Sequence, residues 1–200
     1  MCGIFGIIAK EDNYSRKELI NLLEEVARLS QVRGKDSSGL AYRFESTSQI
    51  DVLKGPVSID KLFKTKEYED FKTAILKEVK QATCNNVFAA LGHARLVTNG
   101  SQLEDVNNQP VIKDGIVGIH NGIVVNEIEL WNKYSTLQRE YEIDTEVIYS
   151  IFRYHLKQNG NSITAIKQTN NELFGTVSTG FFINDFTGRR AVNPYSCFIK

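Results

Sequence analysis

Residues 1–9 read Met-Cys-Gly-Ile-Phe-Gly-Ile-Ile-Ala. From Cys2 to Ala9 the run is apolar, β-branched and aromatic, the composition of a buried strand. The cysteine that opens it stands at the second position. Removal of an initiator Met before so small a residue would leave a thiol and a free amine on one residue. Such an amine titrates at about 7.7–8.0 and a thiol at about 8.5. The amine is then a base matched to working pH beside its own nucleophile. Read alone, a cysteine opening a buried strand is a core residue, and only the rest of the chain gives it chemistry. No basic segment precedes the run, and Lys10, Glu11 and Asp12 follow it, so it does not read as a signal peptide.

Outward from this strand, Ser15 and Glu18 form a capping box. Leu19, Leu22, Leu23, Val26, Ala27 and Ser30 follow at helical spacing, which predicts an amphipathic helix over roughly 15–32. Gly34 is expected to stop it, and residues 33–39 (Arg-Gly-Lys-Asp-Ser-Ser-Gly) to form a polar loop. Residues 40–44 and 51–53 read as strands. Phe71, Ile75 and Val79 mark a second helix over 67–81. The apolar run 87–91 leads into Gly92-His93-Ala94-Arg95, and a short buried strand over 116–119 ends at His120-Asn121-Gly122. Asn126 is expected to cap a short helix through Trp131. Asp144 opens a longer helix with Val147, Ile148, Ile151, Phe152 and His155 on one face. Residues 163–167 sit in one more helix, and 176–183 form a late strand or strand pair. Clustered strands and helices, without a strict βαβα beat, predict an α+β fold with mostly antiparallel sheet.

The chain has 200 residues, 42% hydrophobic and 24% charged, so it can build a core without disulfide staples. Gly and Pro are scattered and mark no linker, so a single domain is expected. Lys plus Arg and Asp plus Glu number 24 each, and the zero balance argues against a general nucleic-acid or anionic-membrane binder. No apolar run approaches the roughly 18 residues of a transmembrane helix. Cys2, Cys84 and Cys197 are an odd count at unrelated spacings. They exclude a disulfide framework and a CxxC metal site, and fit a reducing, cytoplasmic setting.

Further blocks surround the first. They are Arg33-Gly34-Lys35-Asp36-Ser37-Ser38-Gly39, Gly92-His93-Ala94-Arg95-Leu96-Val97-Thr98 and Asn108-Gln109-Pro110. After these come His120-Asn121-Gly122 with Asn126, Asp144-Thr145-Glu146-Val147, and Phe174-Gly175-Thr176-Val177. In this order, with Cys2-Gly3-Ile4-Phe5-Gly6, they resemble the class II glutamine amidotransferases of the N-terminal-nucleophile hydrolase group. That group includes the glutaminase domains of glucosamine-6-phosphate synthase, amidophosphoribosyltransferase and asparagine synthase. Each block alone is weak; the ordered set is specific. The resemblance implies an α+β, four-layer αββα N-terminal-nucleophile fold with two stacked antiparallel sheets.

The resemblance also implies roles. Cys2 would attack the side-chain amide carbon of L-glutamine, giving a γ-glutamyl thioester, and its own amine would carry the proton to ammonia. The Asn121 side-chain amide and the Gly122 N–H would form the oxyanion hole. Arg95 would bind the glutamine carboxylate, Asp144 its ammonium, and Thr98 would add a hydroxyl contact. Arg33 would order the loop beside the site. No metal or organic cofactor is needed for this half-reaction. The ammonia would pass to a synthase or transferase domain or subunit.

Plainer readings stand beside these. Asn121-Gly122 reads as a turn, Arg95 as half of a surface ion pair, Asp144 as a helix cap, and Thr98 as a strand-end residue. His93 and His120 read as strand-end or packing residues, and Cys84 and Cys197 as incidental thiols. Leu96 and Asn99 stand where the sugar-phosphate amidotransferase has Trp and His, and Ile123 replaces the Glu of asparagine synthase, so the subfamily stays open. After Asp185 the match fades, 187–200 lacks a clear final strand, and the chain resembles an isolated or truncated glutaminase domain without its synthase domain. The rival functions are an N-terminal-cysteine hydrolase of another amide and a non-catalytic relic with a binding or regulatory role.

Overall fold

The computed structural model describes residues 2–47, 49–78, 87–96 and 107–184, and the backbone of 195–199. The chain divides into two compact units, Met1–Pro110 and Val111–Lys200.

In the first unit the opening run forms strand β1, Gly3–Lys10, and helix α1 spans Arg16–Ser30. The capping box is present: the Glu18 backbone N–H donates to Ser15 Oγ at 3.2 Å, and the Ser15 N–H to Glu18 Oε2 at 2.7 Å. Strands β2 (Ser37–Phe44) and β3 (Asp51–Gly55), helices α2 (Ile59–Leu62) and α3 (Lys66–Lys77), and strand β4 (Val87–Arg95) follow. The sheet runs β1-β4-β2-β3 with every pair antiparallel. Leu19, Leu23 and Ala27 of α1 and Tyr68, Phe71 and Ile75 of α3 bury against Leu40, Tyr42, Phe44 and Phe88 of the sheet. Each such large side chain contributes about 1.5–3 kcal/mol. The Tyr68 hydroxyl donates to Glu24 at 2.9 Å and ties α3 to α1.

Two expectations change here. The polar loop over 33–39 is shorter than its composition suggests, because β2 already begins at Ser37. Its two serines are buried, and Ser38 Oγ donates to the Val57 carbonyl at 2.7 Å, which removes the cost of burying the hydroxyl. Gly34 follows a 3₁₀ turn, Gln31–Arg33, in extended backbone that any residue adopts. Its role is close approach: a Cβ there would overlap the Arg95 backbone. Val79 of the expected helical stripe, and Cys84, lie outside the described residues.

In the second unit, strands β5 (Val111–Lys113) and β6 (Ile116–Val124) precede helices α4 (Glu127–Lys133), α5 (Thr145–Asn159) and α6 (Ser162–Glu172). Strands β7 (Gly175–Ile183) and β8 (Tyr195–Ile199) complete the order β5-β6-β7-β8, again antiparallel. Val147, Ile148, Ile151 and Phe152 of α5 pack on Ile116, Val177 and Phe181. The β6–β7 ladder runs from Ile116↔Ile183 to Val124↔Gly175. Alternation puts Ile116 and His120 on the helix-covered face of β6, and Ile119 and Asn121 on the other.

Three further expectations are corrected. β6 does not end at His120, so Asn121-Gly122 is paired strand and not a turn. Asn126 precedes α4 but caps nothing. Its Nδ2 donates to the Glu172 carbonyl, and its Oδ1 accepts from the Phe174 N–H, each at 2.9 Å. A final strand does exist: β8 pairs with β7 from Ser178↔Ile199 to Phe182↔Tyr195. The expected α+β class holds, with two antiparallel sheets, each carrying helices. No helix among the described residues is long and apolar enough to cross a membrane.

Candidate active site

In the first unit, β1 and β4 pair as Gly3↔Ala94 and Ile4↔His93. One step further on this register sets Cys2 opposite Arg95. Cys2 is partly exposed, with Sγ 3.5 Å from the Leu96 carbonyl. Arg33 Nε donates to the Cys2 carbonyl at 3.2 Å, and the Asp36 N–H to the Arg95 carbonyl at 3.0 Å. The 3₁₀ turn and Gly34 thus press residues 33–36 onto the end of β4, beside the cysteine. This gives Arg33 a structural contact beside the loop it was expected to order.

Arg95 is buried and is not half of a surface ion pair. Its guanidinium donates to the Asn107 carbonyl at 3.0 Å and to Asn108 Oδ1 at 3.1 Å. These bonds hold the guanidinium at a fixed place on the strand end. Thr98 lies outside the described residues, as does Met1.

In the second unit, Asn121 and Gly122 lie near the end of β6. Gly122 has φ +150°, a conformation L side chains rarely adopt, and a Cβ there would overlap the Thr176 carbonyl oxygen. Asp144 occupies the N-cap position of α5 but in helical backbone (φ −64°, ψ −20°), and its side chain makes no cap bond. Its Oδ2 instead accepts the Val124 N–H at 2.8 Å, fastening the helix start to the end of β6. The expected helix cap is therefore a strand-to-helix tie, and only one carboxylate oxygen is used in it.

His120 joins these pieces. It is buried mid-strand, with Nδ1 3.1 Å from Thr145 Oγ1 and 3.8 Å from Asp144 Oδ1. Burial lowers its pKa, outweighing the opposing pull of Asp144 and a hydrogen bond to the Thr176 backbone. Reading His120 as a packing residue missed this. The signal available was Thr145, one residue after Asp144 and itself 1% exposed.

Cys2 and Arg95 belong to one unit; Asn121, Gly122 and Asp144 belong to the other. Among the described residues, no cluster of three or more His, Cys, Asp or Glu could hold a metal ion.

No protein-family model matches the chain. Curated relatives do. Glutamine–fructose-6-phosphate aminotransferase (isomerizing) of Xanthomonas campestris is 33% identical over 177 residues, covering 88% of this chain and 25% of the relative. The protein of that name from Wigglesworthia glossinidia brevipalpis is 28% identical over 187 residues, covering 90% and 26%. The chain therefore spans about a quarter of the length of these relatives. Among solved structures, the allosteric regulatory enzyme of purine biosynthesis matches with a TM-score of 0.62 at 22% identity, over 92% of this chain and 36% of that one. The glutamine phosphoribosylpyrophosphate amidotransferase of B. subtilis, complexed with ADP and GMP, matches with a TM-score of 0.57 at 22% identity, over 92% and 35%. The fold is shared with these two amidotransferase structures. Taken with the sequence relatives, nearly the whole chain is similar to a class II glutamine amidotransferase domain.

Proposed function

We propose that residues 1–200 act as one glutaminase domain that hydrolyses L-glutamine to glutamate and ammonia. The observation that carries this is the match of 88–90% of the chain to one quarter of enzymes whose names give glutamine as the donor. Once Met1 is removed, the Cys2 amine takes the thiol proton. The sulfur attacks the side-chain amide carbon, and the C=O pair collects on oxygen. Asn121 and the Gly122 N–H stabilise that oxyanion. The amine gives its proton to nitrogen as the C–N bond breaks, which leaves a γ-glutamyl thioester and ammonia. Water then adds to the thioester carbon and expels the Cys2 sulfur. Arg95 and Asp144 hold the two ends of the amino-acid zwitterion, with Thr98 adding a hydroxyl. The steps involve only the chain and water. Ammonia goes on to a synthase or transferase domain or subunit, in a reducing, cytoplasmic setting that suits the cysteine pattern.

The direct test is ammonia release from L-glutamine beside asparagine and a glutamine derivative with its α-carboxylate amidated. Preference for intact glutamine is expected. Equal rates would leave a general amide hydrolase, and no release from any substrate would leave a binding module. Asn121→Ala should lower kcat by about 10²–10³ with KM little changed, because an oxyanion donor acts in the transition state. A change confined to KM would make Asn121 a ground-state contact. Asp144→Asn keeps an acceptor for the Val124 N–H but removes the charge. It should raise KM for glutamine by roughly 30-fold or more, about 2 kcal/mol at least. An unchanged KM would remove Asp144 from the binding set.

A further inference from the structure

Glutamine hydrolysis as proposed makes no use of His120, yet the residue is 3% exposed and its Nδ1 lies against Thr145 and Asp144. Its Nδ1 lies 3.1 Å from Thr145 Oγ1. In the neutral ring, which burial favours, a proton on Nε2 leaves Nδ1 to accept from the Thr145 hydroxyl.

Each edge leads to a proposed functional group. The Thr176 carbonyl is the surface against which Gly122 packs, and the position a Cβ would take on Gly122 is 3.0 Å from His120 Nε2. The ring therefore stands behind the backbone that carries the second oxyanion donor. On the other edge, Thr145 directly follows Asp144. Asp144 Oδ2 is held by Val124, and its Oδ1 lies 3.8 Å from Nδ1. Nδ1 as an acceptor offers Oδ1 no proton, so that oxygen keeps its negative charge for a cation. A ring with a proton on Nδ1 would draw Oδ1 to itself.

We propose that His120 and Thr145 are positioning residues for glutamine: the imidazole, held at Nδ1 by the Thr145 hydroxyl, leaves Asp144 Oδ1 to the substrate ammonium. This rests on the glutaminase reading. A phenyl ring of similar size would fill the space and make no bond to Thr145.

Thr145→Val keeps the side-chain shape and removes the hydroxyl. It should raise KM for glutamine about tenfold with kcat within about twofold, and Thr145→Ser, which restores the hydroxyl, should recover most of the loss. Nitrogen-15 spectra of the wild-type protein at neutral pH should show a neutral His120 with its proton on Nε2. A folded Thr145→Val protein with unchanged KM overturns the inference, as does a wild-type proton on Nδ1; if the valine variant fails to fold, the wild-type spectrum decides. A wild-type protein that is inactive on glutamine overturns the glutaminase reading and this inference with it. An active wild type with an unaffected Thr145→Val variant removes this inference alone.

Discussion

Cys2→Ala protein is expected to release no ammonia from glutamine and to melt at the wild-type temperature. Among the described residues, the sulfur makes one hydrogen bond, a 3.5 Å contact to the Leu96 carbonyl. A thiol is a weak donor, so little stability is lost with it. The structural contact of this residue runs through its backbone, where Arg33 donates to the carbonyl, and alanine keeps it. The chemistry, in contrast, has no substitute. Cys84 and Cys197 lie in none of the ordered motifs. Loss of the nucleophile in enzymes of this kind lowers turnover by factors on the order of 10⁶. An ammonia assay and a thermal melt on the same preparation check both halves, and residual glutaminase activity at more than a trace would refute Cys2 as the nucleophile.

The second large effect concerns stability. Lys113 ends β5 with its side chain 3% exposed, and its ammonium lies 2.9 Å from both Glu146 and Glu140. It also donates to the Gln138 carbonyl at 2.9 Å. Glu146 is fully buried on α5 and accepts the backbone N–H groups of Glu140 and Tyr141, each at 2.8 Å. Burial alone would lower the Lys113 pKa, but the bonds to Glu146 and Glu140 outweigh it and raise it, so Lys113 stays charged. Lys113→Met keeps the apolar stem and removes the cation. It strands a buried carboxylate, a change that costs about 3–5 kcal/mol. The two backbone donors favour the lower end. For a chain of this size, about 3 kcal/mol is a drop of roughly 6–12 °C in melting temperature. A loss under about 2 °C would show that the ammonium is not needed to hold the buried carboxylate.

Much of this arrangement was legible in the sequence, and the failures have physical causes. The α1 boundaries follow from Ser15, Glu18 and the leucine stripe, because capping and periodicity act within a few residues. The α5 stripe was legible for the same reason. Strand ends were not. β6 continues through His120-Asn121-Gly122 because Thr179, Ser178 and Val177, far along the chain, supply the pairing partners, and no local pattern encodes that. Ser37 and Ser38 read as loop because hydroxyls are usually wet; here the Val57 carbonyl makes burial tolerable for Ser38. Asp144 and Asn126 are residue types that cap helices, yet each reaches a backbone group on another segment instead. Cys2, Asn121 and Gly122 stood out through ordered motifs. His120 did not, because its value lies in which side chain stands across the strand–helix gap.

The alternation of His120 and Asn121 across β6 has a consequence for how such a chain can diverge. The two residues serve opposite faces of one sheet, so their roles depend on the parity of the residue count as much as on their identity. A substitution elsewhere in β6 alters one face at one point. Insertion or deletion of a single residue in β6 ahead of His120 would exchange the faces for everything beyond it. The imidazole would then turn away from Thr145, and the amide would turn into the helix-packed core. Descendants of this sequence can drift in composition along the strand, but length changes must gather in the segments between strands. A natural homologue with a one-residue gap inside β6 would need a compensating bulge to keep both faces.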